Sequence, residues 1–246
     1  MPKPFLIIQL RPEDETADNE LAAICRFGGL ANGEWERIRA EQRGLPKLDL
    51  DHYAAIIVGG SPFDISTPAS QKSDLQQLVE QGFKRLFDHI VARDFPFLGC
   101  CSGNGLLGSY RGASISSKFR EAVGGVDIHL TLAGKQDPLL QGFPNSIRVL
   151  VGHKEACDDV PPGCTLLATG EACPVQMFRL KHNIYATQFH PEADAKGFEV
   201  RIKFYKHHGY FAPETAQDLI AAVKQEQTPH AQAILRRFVE RYREST

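Results

Sequence analysis

Gly99-Cys-Cys-Ser-Gly103, with Gly105 two positions on, is the stretch of this 246-residue chain best suited to nucleophilic chemistry. The apolar run Phe95 to Leu98 predicts a buried strand, and Leu106 and Leu107 open a new apolar patch that predicts a helix. At the turn between them a cysteine stands on strained backbone with its side chain exposed, and glycine neighbours leave it room. A thiol at a helix start also feels the positive end of the helix dipole, which favours thiolate. Successive side chains of a strand face opposite ways, so Cys101 at the apex is the candidate nucleophile and Cys100 the candidate core residue. A cysteine buried simply as a small apolar side chain is the competing account.

A thiol nucleophile needs a base to take its proton and a group to orient that base. Among nine histidines, His190 follows the predicted strand Ile184–Phe189 and stands two residues before Glu192, with only Pro191 between. A carboxylate so close can hold the imidazole in one tautomer. Taken alone, His190 is equally a strand-end histidine in a polar turn. Acyl transfer from an amide also needs donors for a tetrahedral oxyanion. The N–H of Ser102 and one from Gly59 or Gly60, just after the predicted strand Ala54–Val58, meet that need; a plain tight turn also accounts for the glycine pair.

The elements that must position these residues read as strand, helix, strand. Phe5–Leu10 is a first buried strand, a helix from Asp18 runs through Phe27, and Trp35–Ala40 reads equally as helix or strand. Ser73 with Gln76 has the form of a capping box opening a helix through Ile90, which leads into the Phe95 strand. That order implies a parallel crossover, and so an α/β fold with an open, mostly parallel, doubly wound sheet and flanking helices. Ligands bind such sheets beyond the carboxyl ends of the strands, where Gly59-Gly60, Cys101 and His190 all fall. Further strands are predicted at Val126–Thr131, Ile147–Val151, Thr165–Ala168 and Val175–Arg179, with Lys181-His-Asn183 as a hairpin turn. Helices follow at Asp194–His208, Pro213–Lys224 and Pro229–Tyr242, and the apolar stripe of the last is expected to dock on the rest. The expectation is one domain over 1–246, with a core of about 5–211 and a helical extension of about 212–246.

A net charge of −2 with mixed signs gives no basis for nucleic-acid or membrane partners, and no apolar run is long enough to span a bilayer. The apolar run at Phe5 is too short for a signal-peptide core. Six cysteines without a C-x-x-C pair point to reduced thiols and a cytoplasmic setting. His153, Glu155 and Cys157 share the alternation of a strand face, but they fall in a predicted loop without a fourth ligand. No metal and no cofactor are expected.

Taken in order, Gly59-Gly60-x-Pro62, Gly99-x-Cys101-x-Gly103 and His190-Pro191-Glu192 resemble the class I glutamine amidotransferases, in particular stand-alone proteins similar to the glutaminase part of GMP synthase. The resemblance covers roughly Phe5 to Phe211 and implies a flavodoxin-like sheet. It implies hydrolysis of the side-chain amide of glutamine through a γ-glutamyl thioester, with release of ammonia. Carried over, Cys101 resembles the nucleophile, His190 the base, Glu192 its orienting carboxylate, and Gly60 and Ser102 the oxyanion donors. Gly59, Gly105 and the segment Gly152-His153-Lys154 fall where the family binds substrate. The family elbow usually continues to a glutamine where this chain has Gly105, which is expected to enlarge the acyl pocket. A γ-glutamyl hydrolase acting on a conjugate, or a silent regulatory subunit of the same fold, are therefore the alternatives. An α/β-hydrolase fits less well, because its acid precedes its histidine in the chain. No Walker-type loop occurs in this sequence, so a synthetase that uses the ammonia is expected in trans.

Overall fold

Alternation along the first strand sends Phe5 and Ile7 into one apolar cluster and Leu6 and Ile8 into another on the opposite face, and all four are buried. A strand covered on both faces needs no polar alternation, which is why it reads as one apolar run. The computed structural model describes residues 2–243. In chain order the strands are β1 Phe5–Gln9, β2 Trp35–Arg39, β3 Ala55–Val58, β4 Phe97–Cys100, β5 Ile115–Ser116, β6 Glu121–Leu130, β7 Ser146–His153, β8 Ala156–Cys157, β9 Cys164–Gly170, β10 Met177–Leu180 and β11 Ile184–Thr187. The helices are α1 Asp14–Gly28, α2 Ala40–Arg43, α3 Asp74–Arg93, α4 Ser102–Tyr110, α5 Leu132–Gln136, α6 Ala195–Phe204, α7 Ala216–Val223 and α8 Pro229–Tyr242.

Nine strands form one sheet in the order β2-β1-β3-β4-β11-β10-β9-β6-β7, and β5 pairs separately with β8. From β2 to β11 the neighbours are parallel; beyond β11 they alternate, so β10 and β6 run against the rest. β3, β4 and β11 lie side by side and in one direction, which delivers the loops after Val58, Cys100 and Thr187 to the same edge.

Pairing decides the stretch that the sequence leaves ambiguous. Trp35–Arg39 is the edge strand β2, in register with β1 from Phe5↔Trp35 to Gln9↔Arg39. Helix α1 begins four residues before Asp18, because Asp14 and Glu15 place acidic charge at its positive end, and it closes on Gly29 at φ 70. Half of the expected capping box forms: Ser73 Oγ accepts from Gln76 N–H at 3.1 Å, but the Gln76 amide donates to Asp64 O and Glu80 instead. Helix α6 starts where Asp194 Oδ1 accepts from Gly197 N–H at 2.8 Å and ends at Phe204, short of the predicted His208. Helix α8 docks as expected. Ala231, Ile234, Leu235, Phe238 and Val239 are buried in the cluster that holds Phe5 and Ile24. Each large apolar side chain there stabilises the fold by roughly 1.5–3 kcal/mol. Among the described residues no helix is long and apolar enough to cross a membrane.

Candidate active site

Cys101 sits at φ 53 and ψ −95, a backbone conformation that L side chains rarely adopt. It is held there from both sides. Its N–H donates to Thr187 O at 2.7 Å, continuing the β4–β11 ladder, and its carbonyl accepts from Asn104 N–H at 2.9 Å in the first turn of α4. Gly99 makes the turn possible, since a Cβ there would stand 2.7 Å from the Gly103 carbonyl carbon. The strand and the helix touch backbone to backbone. Cys100 is fully buried in the core, and Cys101 is partly exposed at the apex.

The expected thiolate is not what the surroundings favour. Burial pushes the Cys101 thiol up to about 12; Arg11 and Arg201 pull it down, Glu192 and Glu20 raise it, and desolvation outweighs the rest. Taking a thiolate out of water costs more here than the two arginines return.

His190 reaches the same edge from β11. Its Nδ1 lies 2.7 Å from Glu192 Oε1, with both residues buried. An Nδ1–H donated to Glu192 leaves Nε2 as the basic atom. Behind this pair stand three buried charged residues that the motif reading missed. Arg201 Nη2 donates to Glu192 Oε1 at 3.0 Å and its Nη1 lies 3.0 Å from His190 Nδ1. The same Nη2 is 3.7 Å from Glu20 Oε1, which also accepts from Arg11 Nε at 2.7 Å, while Gln9 donates to Glu20 Oε2 at 3.1 Å. Burial lowers the His190 pKa, Glu192 raises it and Arg201 lowers it, with a net fall, so the imidazole is neutral. Burial works against the Glu192 charge, yet His190 and Arg201 together hold its carboxyl far below the usual range. A signal for these residues was present. Glu20 interrupts the buried face Ala17, Glu20, Ile24 of α1, and Arg201 interrupts Phe198, Arg201, Ile202 of α6. A charge on the apolar side of a helix needs a partner in the core.

Both N–H groups of the glycine pair are engaged in this structure. Gly59 N–H belongs to the sheet, donating to Ile8 O at 3.1 Å. Gly60 N–H donates to Glu20 Oε1 at 3.1 Å. Both glycines are needed for packing, because a Cβ at 59 would enter the Glu20 carboxylate and one at 60 would lie 2.5 Å from Arg11 Nη2. Among the described residues, the N–H groups of Ser61 and Ser102 have no acceptor, and both residues line a cavity with Cys101.

Two cavities meet at Cys101. One is lined by Ser102, Gly105, Asp64, Lys154, Glu155 and Gln188 among others; the second contains His190, Gly152 and an aromatic wall. Gly105 does not enlarge the first. Ile65 Cδ1 lies 2.6 Å from where a Cβ at 105 would be, so the space that a longer residue would take is filled from the loop after β3. Gly105→Gln is expected to lower the unfolding free energy by about 1–3 kcal/mol through overpacking. Adding Ile65→Ala should return most of it in denaturant titrations; equal losses in the single and double variants would contradict this packing.

The segment Gly152-His153-Lys154 divides its tasks. Lys154 Nζ pairs with Asp64 Oδ2 at 2.6 Å at the cavity wall. The His153 imidazole is held by two partners, with Nε2 2.8 Å from Glu121 Oε2 and Nδ1 3.0 Å from Glu155 O. His153, Glu155 and Cys157 do not converge: Glu155 accepts from the N–H groups of Ile65 and Ser66, and Cys157 Sγ faces Asn104 Oδ1. The group that does converge is Glu121, His153 and Cys173, with candidate ligand atoms within 4.8 Å of one another. It is distinct from Cys101, His190 and Glu192, and Gln176 Nε2 already donates to Glu121 Oε2 at 2.6 Å.

Known proteins share both the sequence pattern and the fold of this chain. The family model described as Glutamine amidotransferase class-I matches residues 31–209. A glutamine-hydrolyzing GMP synthase subunit from Thermococcus kodakarensis is 31% identical over 110 residues, covering 44% of this chain and 56% of that protein. Gamma-glutamyl peptidase 3 of Arabidopsis thaliana is 27% identical over 166 residues, covering 65% of this chain and 63% of that protein. The matched stretch thus spans 56% and 63% of the length of these two curated relatives. A crystal structure of a glutamine amidotransferase from Thermotoga maritima superposes with a TM-score of 0.76 at 21% identity, covering 98% of this chain and 99% of that one. At that identity the likeness is one of fold.

Proposed function

This chain belongs to the class-I glutamine amidotransferase family, and from that premise we propose that it hydrolyses a γ-glutamyl amide bond through a thioester on Cys101, the side-chain amide of glutamine being the simplest substrate. The supporting observation is the 2.7 Å contact that orients His190 on Glu192, with His190 and Cys101 on the wall of one cavity. With the thiol and the imidazole both neutral, His190 Nε2 takes the Sγ proton as sulfur attacks the γ-carbonyl. The N–H groups of Ser61 and Ser102 take the oxyanion, Ser61 replacing the occupied Gly60. His190 then protonates the leaving nitrogen, and the same residue activates the water that releases glutamate. Lys154 and Asp64 supply charges complementary to the α-carboxylate and α-ammonium of the glutamyl group. Ammonia freed from glutamine would serve a synthetase in trans; the relative from Thermococcus kodakarensis is named as one subunit of such an enzyme.

A glutamine-like diazo-ketone tests this reading directly. It is expected to label Cys101 and not Cys100, read by mass spectrometry of the elbow peptide. A folded protein that stays unlabelled would overturn the reading and favour a silent regulatory role.

A further inference from the structure

We infer that Glu121, His153 and Cys173, completed by Gln176, form a structural site for one zinc ion that staples β6 and β7 to the turn between β9 and β10. None of the four side chains is asked to touch a substrate, so the site stands apart from the thioester chemistry. No spacing along the chain announces this set, because its members lie up to 55 residues apart.

The His153 imidazole points to a cation. Its Nδ1 faces a backbone carbonyl, Glu155 O at 3.0 Å, and a carbonyl oxygen can only accept, so Nδ1 bears a proton. In a neutral ring the other nitrogen then presents a lone pair. That Nε2 lies 2.8 Å from Glu121 Oε2, and a carboxylate oxygen is also an acceptor. Two acceptors at that distance need a positive centre between them, either a second proton on the ring or a metal ion. A ring N–H held by a backbone carbonyl, with the opposite nitrogen turned to the ion, is the usual arrangement of a ligating histidine.

The surroundings of the pair select the ion. A proton would satisfy these two acceptors and no more. One ligand atom each from Glu121, His153 and Cys173 lie within 4.8 Å of one another, and the wholly buried thiol meets Val175 O at a long 3.9 Å. Gln176 is wholly buried as well. Its Nε2 donates to Glu121 Oε2 at 2.6 Å, while its Oε1 is buried with no donor among the described residues. Sulfur, nitrogen and two oxygens make a mixed set that suits zinc, whereas magnesium and calcium take oxygen. Around tetrahedral zinc such atoms stand about 3.3–3.6 Å apart, which is reached if His153 and Glu121 part by roughly 0.5 Å and the sulfur closes in.

The ligands sit on rigid elements. Glu121 and His153 are cross-strand partners of β6 and β7. The turn that carries Cys173 and Gln176 is pinned where Gly170 N–H donates to Cys173 O at 2.9 Å and Gln176 N–H to Ala168 O at 3.1 Å. Glu121 and His153 also line an open cavity beside Lys154 and Tyr210, which gives an ion a way in. Zinc there would hold His153 and Lys154 in the wall of the cavity that contains Cys101.

Cobalt(II) is the probe, because a thiolate ligand gives it a charge-transfer band in the near ultraviolet. The full chain, without an affinity tag, is stripped with a chelator and titrated with cobalt. One equivalent should produce the band, zinc should displace it, and zinc should raise the urea midpoint of the stripped protein. Cys173→Ser should abolish the band and weaken zinc binding at least about 100-fold, and Gln176→Leu should weaken it about 10- to 100-fold. Cys101→Ser should leave the band unchanged. Folded wild type that develops no thiolate band would overturn the site, whichever variants fold, and leave His153 as an imidazolium paired with Glu121. A band that survives Cys173→Ser and vanishes in Cys101→Ser would overturn it too, by placing the metal on the nucleophile.

Discussion

Cys101→Ala is expected to lower kcat/KM for γ-glutamyl substrates by about 10⁴-fold or more, with no comparable change in stability. No neighbouring group can substitute. Cys100, one residue away, is wholly buried with its thiol raised well above the usual range by desolvation. Ser102 Oγ donates to Ser61 O at 3.3 Å rather than facing His190. Cys101→Gly separates chemistry from strain. Glycine adopts φ 53 without the Cβ penalty, and strain of this kind costs about 1–3 kcal/mol, of which glycine returns part as chain entropy. The glycine variant is therefore expected to be inactive and about 1 kcal/mol more stable than the alanine variant in denaturant titrations. An active alanine variant would remove Cys101 from the mechanism, and a glycine variant no more stable than alanine would show that the turn is not strained.

Arg201→Met is expected to carry the largest stability cost, about 3–5 kcal/mol, because it leaves Glu192 and Glu20 as buried carboxylates short of a cation. It should also move the pH profile. Burial and Arg201 both lower the His190 pKa, and Glu192 opposes them. His190 acts as a base only when neutral, so activity falls as pH drops through its folded pKa. Without Arg201 that pKa rises, and the acidic limb of kcat/KM shifts to higher pH. The linkage has the matching sign. A histidine whose folded pKa is depressed stabilises the fold above its unfolded value of roughly 6.5 and loses that contribution as pH falls toward the folded one. An acidic limb that stays in place in a folded Arg201→Met protein would remove the electrostatic role of this arginine. Arg201→Lys, which retains charge, should recover part of both effects.

Much of the parallel half of the sheet could be read from residue patterns, because β1, β3 and β4 are buried on both faces and two-sided burial writes itself into the chain as short unbroken apolar runs. β2 could not be read, since Trp35-Glu-Arg-Ile-Arg takes its form from pairing with β1. Short-range chemistry was equally legible. The spacing of His190 and Glu192 makes their hydrogen bond a local matter, and α8 carries its own docking stripe. That the Gly60 N–H has an acceptor was not legible, because the carboxylate that takes it lies forty residues away. Gly105 was misjudged because the side chain that fills its space comes from Ile65.

The sequence by itself determined the order of the three motifs, the direction of the strands that carry them, and so the sheet edge at which Cys101, His190 and Glu192 meet. Those features depend on backbone periodicity and on residues within a few positions of one another. The tertiary structure alone decided the desolvation that raises the Cys101 thiol, the chain of charges from Glu192 through Arg201 and Glu20 to Arg11, and the two cavities that meet at Cys101. Desolvation and long-range pairing depend on what surrounds a group in space, and no spacing along the chain encodes that.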